Sequence, residues 1–155
     1  MEAMYRKYRD RVDFRLIYIK EAHAADSLRS VPYAIQLGIQ QPTSYRERCE
    51  VAAKLHDDKH LSIPCLIDVM QNSVNVAYGA FPDRLFVIRT DGRIGIAAAR
   101  GPRGFAPGLQ QAQLWLKEFA RTGREPALPP DAVAAGRERD VTAKSIPRRN
   151  LLRQR

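Results

Sequence analysis

The feature that most constrains this chain is Thr90-Asp91-Gly92, set between two apolar runs, RLFVIR (Arg84 to Arg89) and RIGIAA (Arg93 to Ala98). Asp-Gly in that setting is the strongest short-range signal for a β-hairpin, because glycine accepts the positive φ that the turn requires. Beyond it, Leu109, Ala112, Leu116 and Phe119 recur at helical spacing over Leu109 to Ala120, and Gly123 is a natural stop. The C-terminal part of the domain therefore reads as hairpin followed by helix.

The upstream elements alternate. Residues 1–11 read as a helix carrying Met4, Tyr5 and Tyr8, broken at Val12-Asp13. Phe14 to Ile19, rich in β-branched and aromatic residues, reads as a strand. Residues 24–42 look irregular, with Pro32, Gly38 and Pro42 as punctuation. Ser44 and Glu47 form a capping box at the start of a second helix, on which Tyr45, Cys49, Ala52, Ala53 and His56 are expected to share a face. Cys65 to Val69 reads as a short buried strand and Asn72 to Gly79 as a loop or short helix. Helices alternating with strands, closed by a hairpin and a helix, match a thioredoxin-like α/β domain. Residues 1–123 are assigned to it. From Arg124 the chain loses periodicity, carries four prolines and is expected to be a disordered basic tail.

Charge and composition narrow the function classes. The 155 residues are 45% apolar, ordinary for one folded domain. The longest apolar candidate, Phe14 to Ile19, is interrupted by Arg15 and falls far short of the roughly 18 residues a membrane span needs. A soluble, cytoplasmic location is expected. The net charge of +9 suggests nucleic acid at first sight. However, residues 124–155 hold eight Lys or Arg against four Asp or Glu, hence +4 of that total, and the body has no basic run interleaved with aromatics. A nucleic-acid partner is not expected. Cys49 and Cys65 are far apart, with no Cys-x-x-Cys pair and no metal-ligand cluster, and both read as structural rather than nucleophilic.

The continuous run from Asp68 to Phe105 carries Asp68, Asn72, Asn75, Tyr78, Gly79, Pro82, Arg84 and Arg100-Gly101-Pro102, and Ile17 to Leu28 includes a strand ending in Glu-x-His. Together these resemble the iodothyronine deiodinases, thioredoxin-fold selenoenzymes with bacterial relatives, over roughly residues 1–120. The resemblance implies thiol-dependent reductive removal of iodine from an aromatic, iodothyronine-like substrate. It implies no cofactor beyond a thiol reductant as co-substrate, and a homodimer among the partners. It also implies that a strand and a selenocysteine or cysteine nucleophile belong upstream of Met1, so that the domain is N-terminally truncated and this chain holds no nucleophile.

The family's site residues map onto this sequence. Glu21 and His23 match its Glu and His; two apart in an extended segment, they point the same way and are the expected catalytic pair, an imidazole and a carboxylate able to move a proton. By themselves they would read as an exposed acid and histidine at a strand end. Arg100 matches the arginine of Arg-Gly-Pro and is the expected substrate clamp, with Arg84 beside Pro82 in the loop that faces the nucleophile. Asn72, Asn75, Tyr78 and Pro82 are expected to hold the loop itself. Glu21, His23 and Arg100 are expected to border one hollow. One departure is plain: Pro42 stands where thyroid-hormone-active members carry a second histidine, while His56 and His60 read as surface residues. Two other readings share these residues: a catalytically inactive binding module of the same fold, and a peroxiredoxin-like reductase.

Overall fold

A computed structural model describes residues 1–127. Helix α1 (Glu2–Tyr8) places Met4 and Tyr8, one turn apart, on its buried side. Strand β1 (Leu16–Tyr18) follows, then the short helix α2 (Pro32–Gln36) and the longer α3 (Tyr45–Asp58). Strand β2 (Cys65–Ile67) pairs parallel with β1 in the register Leu16 to Cys65, Ile17 to Leu66 and Tyr18 to Ile67. The parallel pairing needs a long crossover, which α2 and α3 provide. Helix α4 (Ser73–Tyr78) leads to the antiparallel hairpin of β3 (Phe86–Ile88) and β4 (Ile94–Ala97), and α5 (Phe105–Thr122) closes the order. The architecture is α/β, with two two-stranded sheets.

The hairpin forms at the expected place. Gly92 has φ 80°, its N–H donates to the Arg89 carbonyl at 2.9 Å, and Asp91 Oδ1 accepts from the Arg93 N–H at 3.0 Å. Its register slips between Val87 and Ile88, so the strands are shorter than the sequence suggested. The core joins elements distant in sequence: Met4, Tyr8, Phe14, Ile63, Ile96, Trp115 and Leu116 form one cluster, onto which Leu16 of β1 and Val87 of β3 also pack. Trp115 stacks on Phe119 at 5.3 Å between centroids. Arg11 fastens the end of α1 to α5 by donating to the Ala120 carbonyl at 2.7 Å.

Several expectations need correction. Residues 24–42 contain α2, because Pro32 at its first turn has the φ a helix needs and Ala34 is buried beneath it. The buried residues of α3 are Arg48 and Ala52: of the expected stripe only Ala52 is buried, Cys49 and His56 are half-buried, and Tyr45 and Ala53 are exposed. Cys49 and Cys65 are half-buried rather than core residues, and Leu66 in the strand expected to be buried is 50% exposed. His56 is half-buried against the Ile63 carbonyl at 3.3 Å, whereas His60 is exposed as expected. Glu125, assigned to the tail, reaches back to the hairpin: it pairs with Arg89 at 3.0 Å and accepts from the Thr90 N–H at 2.7 Å. The remainder of that tail, 128–155, lies outside the described residues. Among the described residues, no helix is long and apolar enough to cross a membrane.

Candidate active site

The C-terminal ends of β1 and β2 carry most of the buried polarity. In open α/β sheets, ligands gather at this edge. Immediately after β1, Glu21 accepts a hydrogen bond from the Tyr18 hydroxyl, and its backbone N–H donates to Gln41 Oε1 at 3.1 Å. Burial, followed by the Glu21 carboxylate that accepts its proton, pushes the Tyr18 phenol well above its usual range, while the nearby Arg48 charge opposes the shift. Tyr18 therefore stays protonated and acts as a donor. His23 is exposed, with Nδ1 at 2.7 Å from the Arg29 carbonyl. A carbonyl can only accept, so Nδ1 is the donor in this contact.

Glu21, Ala22 and His23 all line one hollow of about 220 Å³; the chain bends at Ala22 and His23 beyond the end of β1, so a bend rather than the expected extended alternation brings the pair together. Its walls are apolar, from Val31, Ala34, Ile39, Val51 and Leu55, and its rim carries Tyr33, Lys54 and Asp58. Arg100 borders a second hollow of about 350 Å³, with Ala97 to Ala99, Arg103 and the start of α5. The two hollows have no lining residue in common, so the single hollow expected for Glu21, His23 and Arg100 is resolved into two.

Helix α4 links the turn after β2 to Arg100. Asp68, 2% exposed, receives the Val74 and Asn75 N–H groups on its two carboxylate oxygens at 3.1 and 2.9 Å, and so caps the helix N-terminus. Asn72 precedes it in the left-handed region at φ 57° and donates through Nδ2 to the Met70 carbonyl at 3.1 Å. At the other end, Gly79 is left-handed at φ 55°, and its carbonyl accepts from Arg100 Nε at 3.0 Å. A Cβ on Gly79 would stand 3.0 Å from Arg100 Nη2, so the bare glycine leaves room for that approach. Arg84 donates to the Tyr78 carbonyl at 3.1 Å and to the Ala98 carbonyl at 2.6 Å, and its guanidinium lies 5.0 Å from the centre of the Phe86 ring. Tyr78 meets the same ring edge-on at 5.0 Å. Pro82 is half-buried in the Phe81 to Arg84 loop, and Lys20 sits 4.5 Å over the Phe81 ring. Asn72, Asn75 and Tyr78 thus make backbone or ring contacts within the loop, and both arginines grip carbonyls at the end of α4.

Sequence reasoning missed Tyr18 and Arg48. Tyr18 had a signal, since it stands three residues before Glu21 on a strand end. Arg48 had none, because an arginine within a charged helical segment reads as solvent-facing. Cys49 and Cys65 line neither hollow, and burial pushes the Cys65 thiol up. Among the described residues, no group of three His, Cys, Asp or Glu is arranged to hold a metal ion.

The family model for iodothyronine deiodinase matches residues 1–120. Thyroxine 5-deiodinase of Aquarana catesbeiana is 36% identical over 110 residues, covering 71% of this chain and 39% of the relative. The Gallus gallus thyroxine 5-deiodinase is 33% identical over 110 residues, covering 71% of this chain and 40% of the relative. The type II iodothyronine deiodinase of Neoceratodus forsteri is 33% identical over 120 residues, covering 74% of this chain and 43% of the relative. The chain thus spans about two fifths of the length of these relatives. With a match over nearly all of the described residues, the chain belongs to the iodothyronine deiodinase family.

Proposed function

We propose that this chain is the substrate-holding and proton-handling part of a reductive deiodinase acting on an iodinated aromatic of the iodothyronine type. In this reading the fold is thioredoxin-like, and the remaining strand and the selenocysteine or cysteine nucleophile lie upstream of Met1. Thiols regenerate the enzyme in the cytoplasm, where they are kept reduced. The observation that carries the reading is the meeting of Glu21 and His23 in one hollow, with the Tyr18 hydroxyl on Glu21.

The chemistry needs three things from the protein. A soft nucleophile attacks iodine and the carbon–iodine bond breaks, leaving the electron pair on carbon. That carbon takes a proton, which the imidazolium form of His23 can deliver through Nε2–H while Nδ1–H stays on the Arg29 carbonyl; solvent then returns the proton to the ring. Two thiols then reduce the chalcogen–iodine bond, releasing iodide and a disulfide. Arg100, with guanidinium nitrogens beyond Nε not committed to Gly79, is suited to an anionic group of the substrate. The two separate sheets, both packed on one apolar cluster through Leu16 and Val87, support a further strand between β1 and β3. Cys49 and Cys65 border neither hollow, which favours a nucleophile from elsewhere.

The test is thiol-dependent iodide release from an iodothyronine, measured on the protein carrying its natural upstream residues beside residues 1–155 alone. The extended protein is expected to release iodide and the shorter chain none. Glu21→Gln and His23→Ala in the extended protein are expected to slow release by about 10²–10⁴-fold. An extended protein that holds a cysteine or selenocysteine and releases no iodide would end the reading. Release of peroxide-derived product instead would favour the peroxiredoxin-like alternative.

A further inference from the structure

We infer that Arg48 is a positioning residue that fixes the turn after β2, and with it the end of β1 at Tyr18 and the start of α4, whose far end receives Arg100. The side chain is 2% exposed, which is rare for arginine unless it is paired. Yet among the described residues it forms no ion pair with a carboxylate. Its Nη1 donates to the Asp68 carbonyl at 3.0 Å and to the Val69 carbonyl at 2.7 Å, while Nε is buried without an acceptor. Asp68 is equally buried, but its carboxylate is taken up by the α4 amides. The two buried charges are thus satisfied by backbone, not by each other.

Stability does not account for such a residue, since an apolar side chain of similar volume would avoid the desolvation cost. Geometry does. The guanidinium pins the chain where β2 ends, and that turn carries the carboxylate that holds the start of α4. The end of α4 is gripped by Arg84 and Arg100. One run of hydrogen bonds therefore leads from α3 to Arg100. The same turn meets β1, since the Asp68 N–H donates to the Tyr18 carbonyl at 2.8 Å and the Tyr18 hydroxyl donates to Glu21. The part of the inference concerning proton handling rests on the proposed function; the positional part does not.

The test uses residues 1–155 with Arg48→Met, which keeps bulk and removes the charge, and Arg48→Lys, which keeps charge and removes the fork. Amide hydrogen exchange at Val74 and Asn75 is compared with exchange at core amides such as Ile96 and Leu116, so that a global loss of stability cancels. Arg48→Met is expected to speed exchange at Val74 and Asn75 by about tenfold or more relative to the core. Arg48→Lys is expected to leave Val74 and Asn75 similarly unprotected, because one ammonium does not reproduce the planar fork, whereas a residue acting through its charge alone would be rescued. If Arg48→Met does not fold, Arg48→Lys alone decides, through its loss of α4 protection relative to the core. Unchanged relative exchange in both variants would overturn the inference. Since the readout does not involve iodide release, an inactive extended protein would remove the proposed function and leave this result standing.

Discussion

The half of the molecule built by α1, the hairpin and α5 is held by apolar contact, whereas the half around the ends of β1 and β2 is held by buried polar groups. In the first half, Met4, Tyr8, Trp115 and Leu116 need only be close, and their contribution scales with area removed from water. In the second, Arg48, Asp68, Tyr18 and Glu21 must meet at hydrogen-bond geometry or leave a buried group unsatisfied. The difference shows where chemistry can be housed: direction-dependent contacts fix side chains to within tenths of an ångström, which an apolar cluster does not.

That contrast can be broken by substitution. Trp115→Ala should have the largest effect, about 3–5 kcal/mol in urea unfolding, because it empties the centre of the apolar half. The relative protection of Val74 and Asn75 should survive it. Asp68→Ala should cost less overall, about 1–3 kcal/mol, but should expose those two amides selectively in hydrogen exchange. Equal exposure by both substitutions would erase the distinction between the halves. Gly108→Ala belongs with the first group: a Cβ there would stand 2.2 Å from Ala98 Cβ, so α5 must shift, at about 1–3 kcal/mol by thermal unfolding. Ser44→Ala removes the acceptor of the Glu47 N–H at 3.2 Å and should cost about 1 kcal/mol, with the hollow beside α3 otherwise intact.

The smallest effect sharpens the boundary between the halves. Glu2 of α1 binds the Ser62 hydroxyl and accepts from the Ser62 N–H at 3.0 Å, linking the apolar half to the approach to β2. Those Ser62 hydrogen bonds, helped by Arg6, lower its carboxyl to about 2 from an ordinary 4.5. A depressed folded-state value contributes stability above pH 4.5 that is lost as pH falls toward 2. Glu2→Gln should therefore flatten the pH dependence of unfolding across that window by removing the contribution present above pH 4.5, with stability near pH 2 little changed. An unaltered acid limb would mean that this link is not what joins the halves.

The hairpin, the Ser44 cap and the α5 face were legible because each rests on local chemistry: a turn that demands glycine, a hydroxyl beside free amides, an apolar stripe at helical spacing. The face of α3 was not. Its true inward residue is a charged arginine, invisible to any rule that sorts polar from apolar. Glu21 and His23 meet through a bend after β1 rather than through strand alternation, and neither that bend nor the separation of Arg100 from the pair was legible. Arg100 grips the Gly79 carbonyl after α4 (Ser73–Tyr78), a contact made between residues 21 apart in the chain.

What the sequence determined by itself was the order of elements other than α2, the hairpin turn and the family, since these depend on neighbours in the chain and on motifs within it. Only the tertiary structure decided that Arg48 is buried, that Tyr18 serves Glu21 and that two hollows stand where one was expected. Each of these depends on which distant carbonyl or carboxylate a polar side chain finds, and such a partner is fixed only once α3, β2 and α4 have packed.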